Sequence, residues 1–352
     1  MKIKIGNKTI GESQPTFTIA EAGANHDSEI NKAFKLIDAA IDGKADSIKF
    51  QTYKANKLTT KNAKKYWDDG IYDETQYDVF KKLDKLTNDD WKKIFEYAKD
   101  KNIICFSTPF DLESVDLLYS LDVPLFKIAS ADITHIPLIQ KIAKKRLPII
   151  LSTGMASLEE IKFAVNEIKN FGNNEIIIMH CITSYPTKPE DANLELIRVL
   201  KKEFRDCLIG YSDHTLGTDI AVNSTFYGAC AIEKHFTFNQ NLQISRDHRL
   251  SLTPKEFREM ILKLKLARIS KGSNKRINFD SEKESIKYAR RSIVSVKKII
   301  KNSIISSDLL DFKRPGTGIE PKYFDEIIGL KVIRDIEEDT PIMWDDLEVN
   351  EK

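Results

Sequence analysis

This 352-residue chain has no long apolar run: its hydrophobic segments extend only a few residues, far short of the ~20 that a membrane-spanning helix needs. Its start, Met1-Lys2-Ile3-Lys4-Ile5-Gly6, carries no apolar signal core, so the expected location is the cytoplasm and no membrane role is expected. Charge of one sign is not in excess either. Lys plus Arg total 55 against 53 Asp plus Glu, a balance that argues against a nucleic-acid surface while leaving room for local basic clusters that bind small anions. Cysteine is scarce. Cys105, Cys181, Cys207 and Cys230 fall in or beside apolar runs without paired short spacing, and read as reduced core residues. The Gly-rich Gly-x-Gly-x-x-Gly loop of dinucleotide-binding folds is missing after the first strand-like run, which discounts a nucleotide-binding domain. With 41% hydrophobic residues, the chain can still bury a sizeable core, and its length fits one large domain plus a small one.

What is present is alternation. After an N-terminal hairpin-like stretch, short β-rich runs cover Thr16 to Ala20, Asp46 to Phe50, Ile103 to Phe106, Leu125 to Ile128, Pro148 to Leu151, Glu175 to Met179, Cys207 to Tyr211 and Ala229 to Glu233. Amphipathic helical patterns lie between them, among them Glu29 to Ile41, Asp89 to Lys99, Ser157 to Asn170 and Leu194 to Phe204. Eight such units predict an α/β fold of the TIM (β/α)8 barrel type. An open doubly wound sheet is the alternative, because sequence alone does not show closure.

In such barrels the chemistry sits at the C-terminal strand ends, and here almost every run ends in reactive side chains. His214 and His235 close two consecutive runs. Two imidazoles leaving adjacent strands at one rim suit a borderline divalent metal and leave coordination positions open for substrate. Lys49 and Lys127 lie inside apolar runs, where a charge without a purpose is costly, and beside the hydroxyls of Thr108, Ser130 and Ser152. Together they suit a multiply charged anion such as a phosphorylated carboxylate, although each lysine taken singly reads first as a strand-end cation or the partner of a nearby acid. Glu21 would enter the barrel mouth to orient substrate or move a proton, with a structural ion pair to Lys49 or Lys127 as the competing reading. His180 is a second-tier metal candidate or a satisfied core histidine. His135, with no site residue near it in sequence, reads as structural.

Past a helical segment from Pro254 to Ile269, residues 271–288 lack apolar periodicity and read as a linker between a barrel domain, 1–270, and a small strand-rich domain, 289–352. Lys313-Arg314-Pro315-Gly316 reads on its own as a surface turn with a solvated arginine.

The chain resembles the N-acetylneuraminate (sialic acid) synthase family, which includes legionaminic and pseudaminic acid synthases. The resemblance rests on Ala20-Glu21-Ala22-Gly23-Ala24-Asn25-His26, Lys49-Phe50-Gln51-Thr52, Ser107-Thr108-Pro109-Phe110-Asp111, Phe126-Lys127-Ile128-Ala129-Ser130, Leu151-Ser152-Thr153-Gly154-Met155, His180-Cys181-Ile182-Thr183-Ser184-Tyr185-Pro186, Ser212-Asp213-His214-Thr215 and Glu233-Lys234-His235-Phe236-Thr237. It implies condensation of phosphoenolpyruvate with an N-acyl amino sugar, N-acetylmannosamine in the best-known case, giving a nine-carbon 2-keto acid and phosphate. Implied roles are Lys49, Thr108, Lys127, Ser130, Ser152, Thr183 and Tyr185 for phosphoenolpyruvate, and Gln51, Tyr185 and Asp247 for the sugar. Glu21 becomes the central acid or base, and His214 with His235 the ligands of Mn²⁺, or of Mg²⁺ or Co²⁺. The C-terminal piece resembles the antifreeze-like (SAF) domain of these enzymes, which implies a domain-swapped homodimer with Arg314 reaching the partner's site. Two positions depart from the pattern. Thr183 is asparagine in some members, and Ser245-Arg246 stands where many have Gly-Pro before Asp247. The first bears on a phosphate contact and the second falls where the sugar's acyl groups bind, so the choice between N-acetylmannosamine and 2,4-diacetamido-2,4,6-trideoxymannose stays open. Two other readings remain: a synthase acting on a phosphorylated sugar, and a carbohydrate- or ice-binding protein without activity.

Overall fold

The computed structural model describes residues 1–67, 73–242, 244–273, 275–276 and 279–348, and divides into two compact units, Met1–Gly272 and Ser273–Lys352. The first unit opens with a hairpin of β1 (Ile3–Ile5) and β2 (Lys8–Ile10). Eight parallel strands follow: β3 (Phe17–Gly23), β4 (Ser47–Thr52), β5 (Ile104–Pro109), β6 (Phe126–Ile128), β7 (Ile149–Ser152), β8 (Ile176–Cys181), β9 (Leu208–Asp213) and β10 (Ala231–His235). They are the eight runs read from the sequence, displaced by a few residues at their ends. Ladder hydrogen bonds run β5-β4-β3-β10-β9-β8-β7-β6. Strands β5 and β6, at the two ends of that order, lie side by side, β6 being only three residues long behind Pro124, so the ring is nearly closed. This (β/α)8 barrel replaces the open-sheet alternative.

The helices expected between strands form where their caps allow. Ser157 and Thr87 begin the helices Leu158–Asn170 and Asn88–Asp100 with reciprocal capping boxes to Glu160 and Asp90. Their apolar stripes pack against the outward faces of the strands, building the larger core layer from residues such as Ile37, Ile94, Leu138, Val165 and Phe257.

Strand alternation divides the remaining side chains into two sets. Phe17, Ile19, Phe106, Leu125, Ile150, Ile177, Met179, Leu208 and Ala231 point inward and fill the lower barrel, with Ile3, Ile5 and Ile10 of the hairpin packed into the same cluster. The interior is a packed core and not a pore. One step further along the same inward rows come Glu21, Lys49, Thr108, Lys127, Ser152, Ser212 and Glu233, so the polar site rests directly on this plug. Gly210 keeps the plug intact: a Cβ there would lie 2.3 Å from Met179 Sδ and 2.8 Å from the Ala231 carbonyl oxygen.

The second unit has its own small core of Ile293, Ile299, Ile305, Ile319, Ile327, Val332, Ile336, Ile342 and Leu347 around the antiparallel pair β11 (Ser292–Ser295) and β12 (Leu310–Lys313). The stretch expected as linker is not without structure. It contains a helix, Lys283–Ala289, whose residues are all at least partly exposed and which therefore leaves no apolar signature in the sequence. Among the described residues, no helix is long and apolar enough to cross a membrane.

Candidate active site

At the C-terminal ends of the barrel strands lies a cavity of about 1140 Å³. Its wall includes Glu21, Lys49, Gln51, Thr108, Lys127, Ser130, Ser152, Thr183, Tyr185, His214, His235 and Asp247, so every site residue expected in the barrel faces one space. That volume lies just above the range of about 300–1,000 Å³ usual for small-ligand pockets. Arg314 belongs to the second unit, exposed just past β12 and before a cis bond to Pro315.

The floor of the cavity is a buried four-charge cluster. Lys49 Nζ lies 2.7 Å from Glu21 Oε2 and 3.6 Å from Glu233 Oε1, and donates to Thr108 Oγ1 at 3.2 Å. Lys127 Nζ donates to both oxygens of Glu233, at 3.2 and 3.1 Å, and Ser212 Oγ donates to the same carboxylate at 3.1 Å. Gln51 Nε2 donates to Glu21 Oε1 at 3.0 Å. Gly23 makes room for that bond: its φ of +52° suits glycine, and a Cβ would lie 3.3 Å from the Glu21 oxygen. The ion pair anticipated for Glu21 with Lys49 thus exists inside the site, in reach of whatever fills the cavity.

These neighbours set the two acids far apart. Burial pushes Glu21 up to about 7, opposed by Lys49 and reinforced by the Glu233 charge. Glu233 meets the same burial, but two lysines overcome it and hold it down at about 2. One acid is permanently ionised and the other exchanges its proton near neutrality, a division common to paired carboxyl groups in active sites. Lys127 is lowered by burial in spite of Glu233, whereas for Lys49 the two carboxylates outweigh burial and raise it.

On one side of this cluster stand hydroxyl and amide donors. Ser130 Oγ accepts from the Gly154 backbone N–H at 2.9 Å and lies 3.1 Å from Cys181 Sγ. Gly154 must be glycine here, because a Cβ would meet Thr183 Cγ2 at 2.8 Å. All four cysteines are buried and free, as expected, although Cys181 also lines the cavity.

On the other side stand the histidines. His214 follows β9 and His235 ends β10, with ring centroids 5.4 Å apart and the Tyr185 ring 4.2 Å from that of His214. His214 Nδ1 lies 2.6 Å from the Ile182 carbonyl oxygen, which fixes the proton on Nδ1 and leaves Nε2 with a free lone pair. His235 Nδ1 is buried, has no hydrogen-bond partner, and lies 3.6 Å from Asp247 Oδ2. Burial lowers both rings, His214 to about 4, so both are neutral at pH 7 as ligands must be. The pair therefore fits an open divalent-metal site. Among the described residues, no three His, Cys, Asp or Glu side chains converge into a closed cage.

Several rim residues named from the sequence face away. His180 points outward from β8, bonds the Ala192 carbonyl oxygen through Nε2 at 2.8 Å and lies beside Tyr211, which removes it from the metal candidates. Asp213 and Lys234 also point outward and pair with each other at 2.7 Å. His135 caps the helix Ile136–Ala143 through its Nδ1. His26 packs against Phe50 and Trp91 behind the barrel wall.

Two functional candidates escaped the sequence reading. Glu233 stands in the sequence only as the end of the eighth run, and the signal that places it in the cluster is its spacing: it sits two residues before His235 on one strand and shares its inward face. Arg246 stood out only within the Ser245-Arg246 departure from Gly-Pro, with no role attached to it. It lies in the loop after β10, where Ser245 N and His248 Nε2 are both anchored to Asp27, at 3.1 and 3.4 Å.

Comparison with known proteins agrees with this geometry. A model described as the NeuB family matches residues 36–276, and one described as the SAF domain matches residues 290–348. N,N'-diacetyllegionaminic acid synthase of Campylobacter jejuni is 40% identical over 92% of this chain and 98% of its own length. Pseudaminic acid synthase of Helicobacter pylori is 34% identical over 95% and 98%. The crystal structure of N-acetylneuraminic acid synthetase from Leptospira borgpetersenii in complex with citrate superimposes with a TM-score of 0.72 at 36% identity, covering 81% of this chain and 95% of that one. The chain belongs to the NeuB family of legionaminic, pseudaminic and N-acetylneuraminic acid synthases, and carries a SAF domain at its C-terminal end.

Proposed function

We propose that this enzyme condenses phosphoenolpyruvate with an N-acylated amino sugar aldehyde to give a nine-carbon 2-keto acid and phosphate. The observation that carries the reading is the buried Glu21–Lys49–Glu233–Lys127 cluster set between hydroxyl donors and a histidine pair. Lys49 and Lys127, with Thr108, Ser130, Ser152, Thr183 and Tyr185 around them, supply the charge and donors that a phosphorylated carboxylate requires. Gln51, Tyr185 and Asp247 are left for the sugar.

In this reading the methylene carbon of phosphoenolpyruvate forms the new C–C bond to the aldehyde carbon. Protonated Glu21 delivers its proton to the aldehyde oxygen, then, ionised, takes one from the water that adds to C2. Collapse of that adduct breaks the C2–O bond, and phosphate departs with the hydroxyl proton, leaving the ketone. The lysines neutralise the anion throughout, in a setting where water screens them little. His214 and His235 would hold a divalent metal, Mn²⁺ first and Mg²⁺ or Co²⁺ next, which when bound supplies Lewis-acid polarisation of the aldehyde. Arg314 would complete the sugar site from the second unit of a partner in a domain-swapped homodimer, which sedimentation of the full chain tests.

Two relatives named for diacetyllegionaminic acid are 40% and 36% identical to this chain, and three named for pseudaminic acid are 34%, 35% and 34% identical. That favours 2,4-diacetamido-2,4,6-trideoxymannose over pseudaminic-type sugars, with N-acetylmannosamine as the simplest analogue. The test is phosphate release from phosphoenolpyruvate with a panel of these sugars, the product identified by mass spectrometry. Turnover that survives His214→Ala with full dependence on added metal would remove the histidine assignment, and no keto acid with any acylamino sugar would remove the reaction.

A further inference from the structure

Arg246 occupies an unusual position for a charged group. Its guanidinium carbon lies 4.0 Å from the centroid of the Trp67 ring, 5.6 Å from that of Tyr185 and 5.9 Å from that of Tyr66, so three aromatic rings hold it against the cavity wall. Its Nη1 is buried with no hydrogen-bond partner. A guanidinium N–H in that state seeks an acceptor, because its water has been removed and nothing has replaced it. The residue is not floppy. Its backbone turn, Arg246–Leu250, is tied down by Ser245 and His248 to Asp27, by His248 Nδ1 to Thr237 at 2.7 Å and by Ser251 Oγ to the Asp247 carbonyl at 2.6 Å.

Asp247 stands beside it, Oδ1 3.7 Å from Arg246 Nε, with its other oxygen toward His235. A donor and an acceptor side by side match a secondary amide, which offers one carbonyl oxygen and one N–H. The aromatic surfaces next to them suit the methyl group such an amide carries. Both side chains line the cavity that contains the histidine pair.

We propose that Arg246 is a specificity-determining residue: its free Nη1–H donates to the acyl carbonyl of the sugar while Asp247 accepts from the same amide's N–H, so the pair selects acylamino sugars. This rests on the condensation proposed above, and the test separates the two. Arg246→Met keeps the stem that packs on Trp67 and deletes the donor. Calorimetric titration with N-acetylmannosamine, with its 2,4-diacetamido analogue and with mannose, which lacks an amide, reads binding without requiring turnover. Wild type should bind the acetamido sugars about 10- to 100-fold more tightly than the variant does, and mannose equally in both. The KM for phosphoenolpyruvate should not move, and the loss should appear in kcat/KM for the acylated sugar. Arg246→Lys, which keeps charge but not the flat fork, should lose the same discrimination and serves if the methionine variant does not fold. Equal losses for mannose and the acetamido sugars, or no loss, would overturn the proposal. A wild-type protein that binds acetamido sugars through Arg246 yet forms no keto acid would remove the reaction and leave this inference standing.

Discussion

Replacing Glu233 by glutamine should unseat the whole charge cluster, and the structure says by how much. Lys127 is 3% exposed, and Glu233 is the only acid paired with it among the described residues. The two partners feel the pair differently. Glu233 is lowered from 4.5 to about 2, roughly 3 kcal/mol in favour of its ionised form, whereas Lys127 stays below its ordinary value because burial outweighs the one carboxylate it has. The more decisive side is the lysine's, since Glu233 is also served by Lys49 and Ser212 and Lys127 has no second acid. Glu233→Gln therefore strands a buried ammonium, a loss of about 3–5 kcal/mol, or roughly 10 °C in melting temperature for a domain of this size. Circular dichroism melts of the full chain measure it. Adding Lys127→Met should recover most of the loss, because the stranded charge is then gone as well. Inorganic phosphate should raise the melting temperature of Glu233→Gln more than that of the parent, since the anion replaces the missing partner. An unchanged melting temperature in the single variant, or a double variant no better than the single, would refute the view that Glu233 is what keeps Lys127 charged.

Gly210→Ala should destabilise the barrel by about 1–3 kcal/mol, and Met179→Ala should rescue it only in part, because the flexible sulfur can move away from the new methyl but the Ala231 carbonyl oxygen at 2.8 Å cannot. Urea titration of the single and double variants checks both statements. Glu21 gives a pH signature: with its folded value raised to about 7 from 4.5, the native state binds a proton that the unfolded chain has released, so this group's contribution to stability falls as pH rises from 4.5 to 7. The permanently neutral Glu21→Gln should lack that slope, so melts across the window should show the parent losing up to about 3 kcal/mol relative to the variant; parallel curves would contradict the raised value.

The strands were legible because each carries its own signal. A run such as Pro148 to Leu151, apolar on both faces and bounded by helix patterns, has few ways to be anything but a buried parallel strand. The rim was legible for the same reason, since barrel topology converts the end of a strand into a position. Which side of the wall a rim residue occupies was not. His180 and Cys181 are neighbours in sequence, yet His180 turns to the Ala192 carbonyl behind the wall while Cys181 faces the cavity. A strand boundary uncertain by one residue reverses that assignment, and a sequence does not fix boundaries so finely. The role of Arg246 was illegible for another reason. Its partners, Trp67 and Tyr185, come from different loops, and only the fold brings them together.

The same alternation explains how one barrel mouth holds so many charges without collapsing into ion pairs of no use. On β9 and β10, Asp213 and Lys234 point outward and satisfy each other at 2.7 Å, so they take no part in the interior balance. Ser212, Glu233 and His235, one residue removed along the same strands, point inward. The interior is left with two lysines and two acids, but they are shared unequally: Glu233 touches both lysines, Glu21 only Lys49. Unequal sharing makes one acid a fixed counter-charge and the other a group that exchanges its proton near pH 7. If the proposed reaction holds, an arriving anion that draws on Lys49 and Lys127 would weaken the pair Glu21 makes with Lys49 and push Glu21 further toward its protonated form when that reaction calls for a proton donor. In the proposed reaction, proton supply and anion binding would thus be coupled through Lys49, the one residue among those described that pairs with both acids.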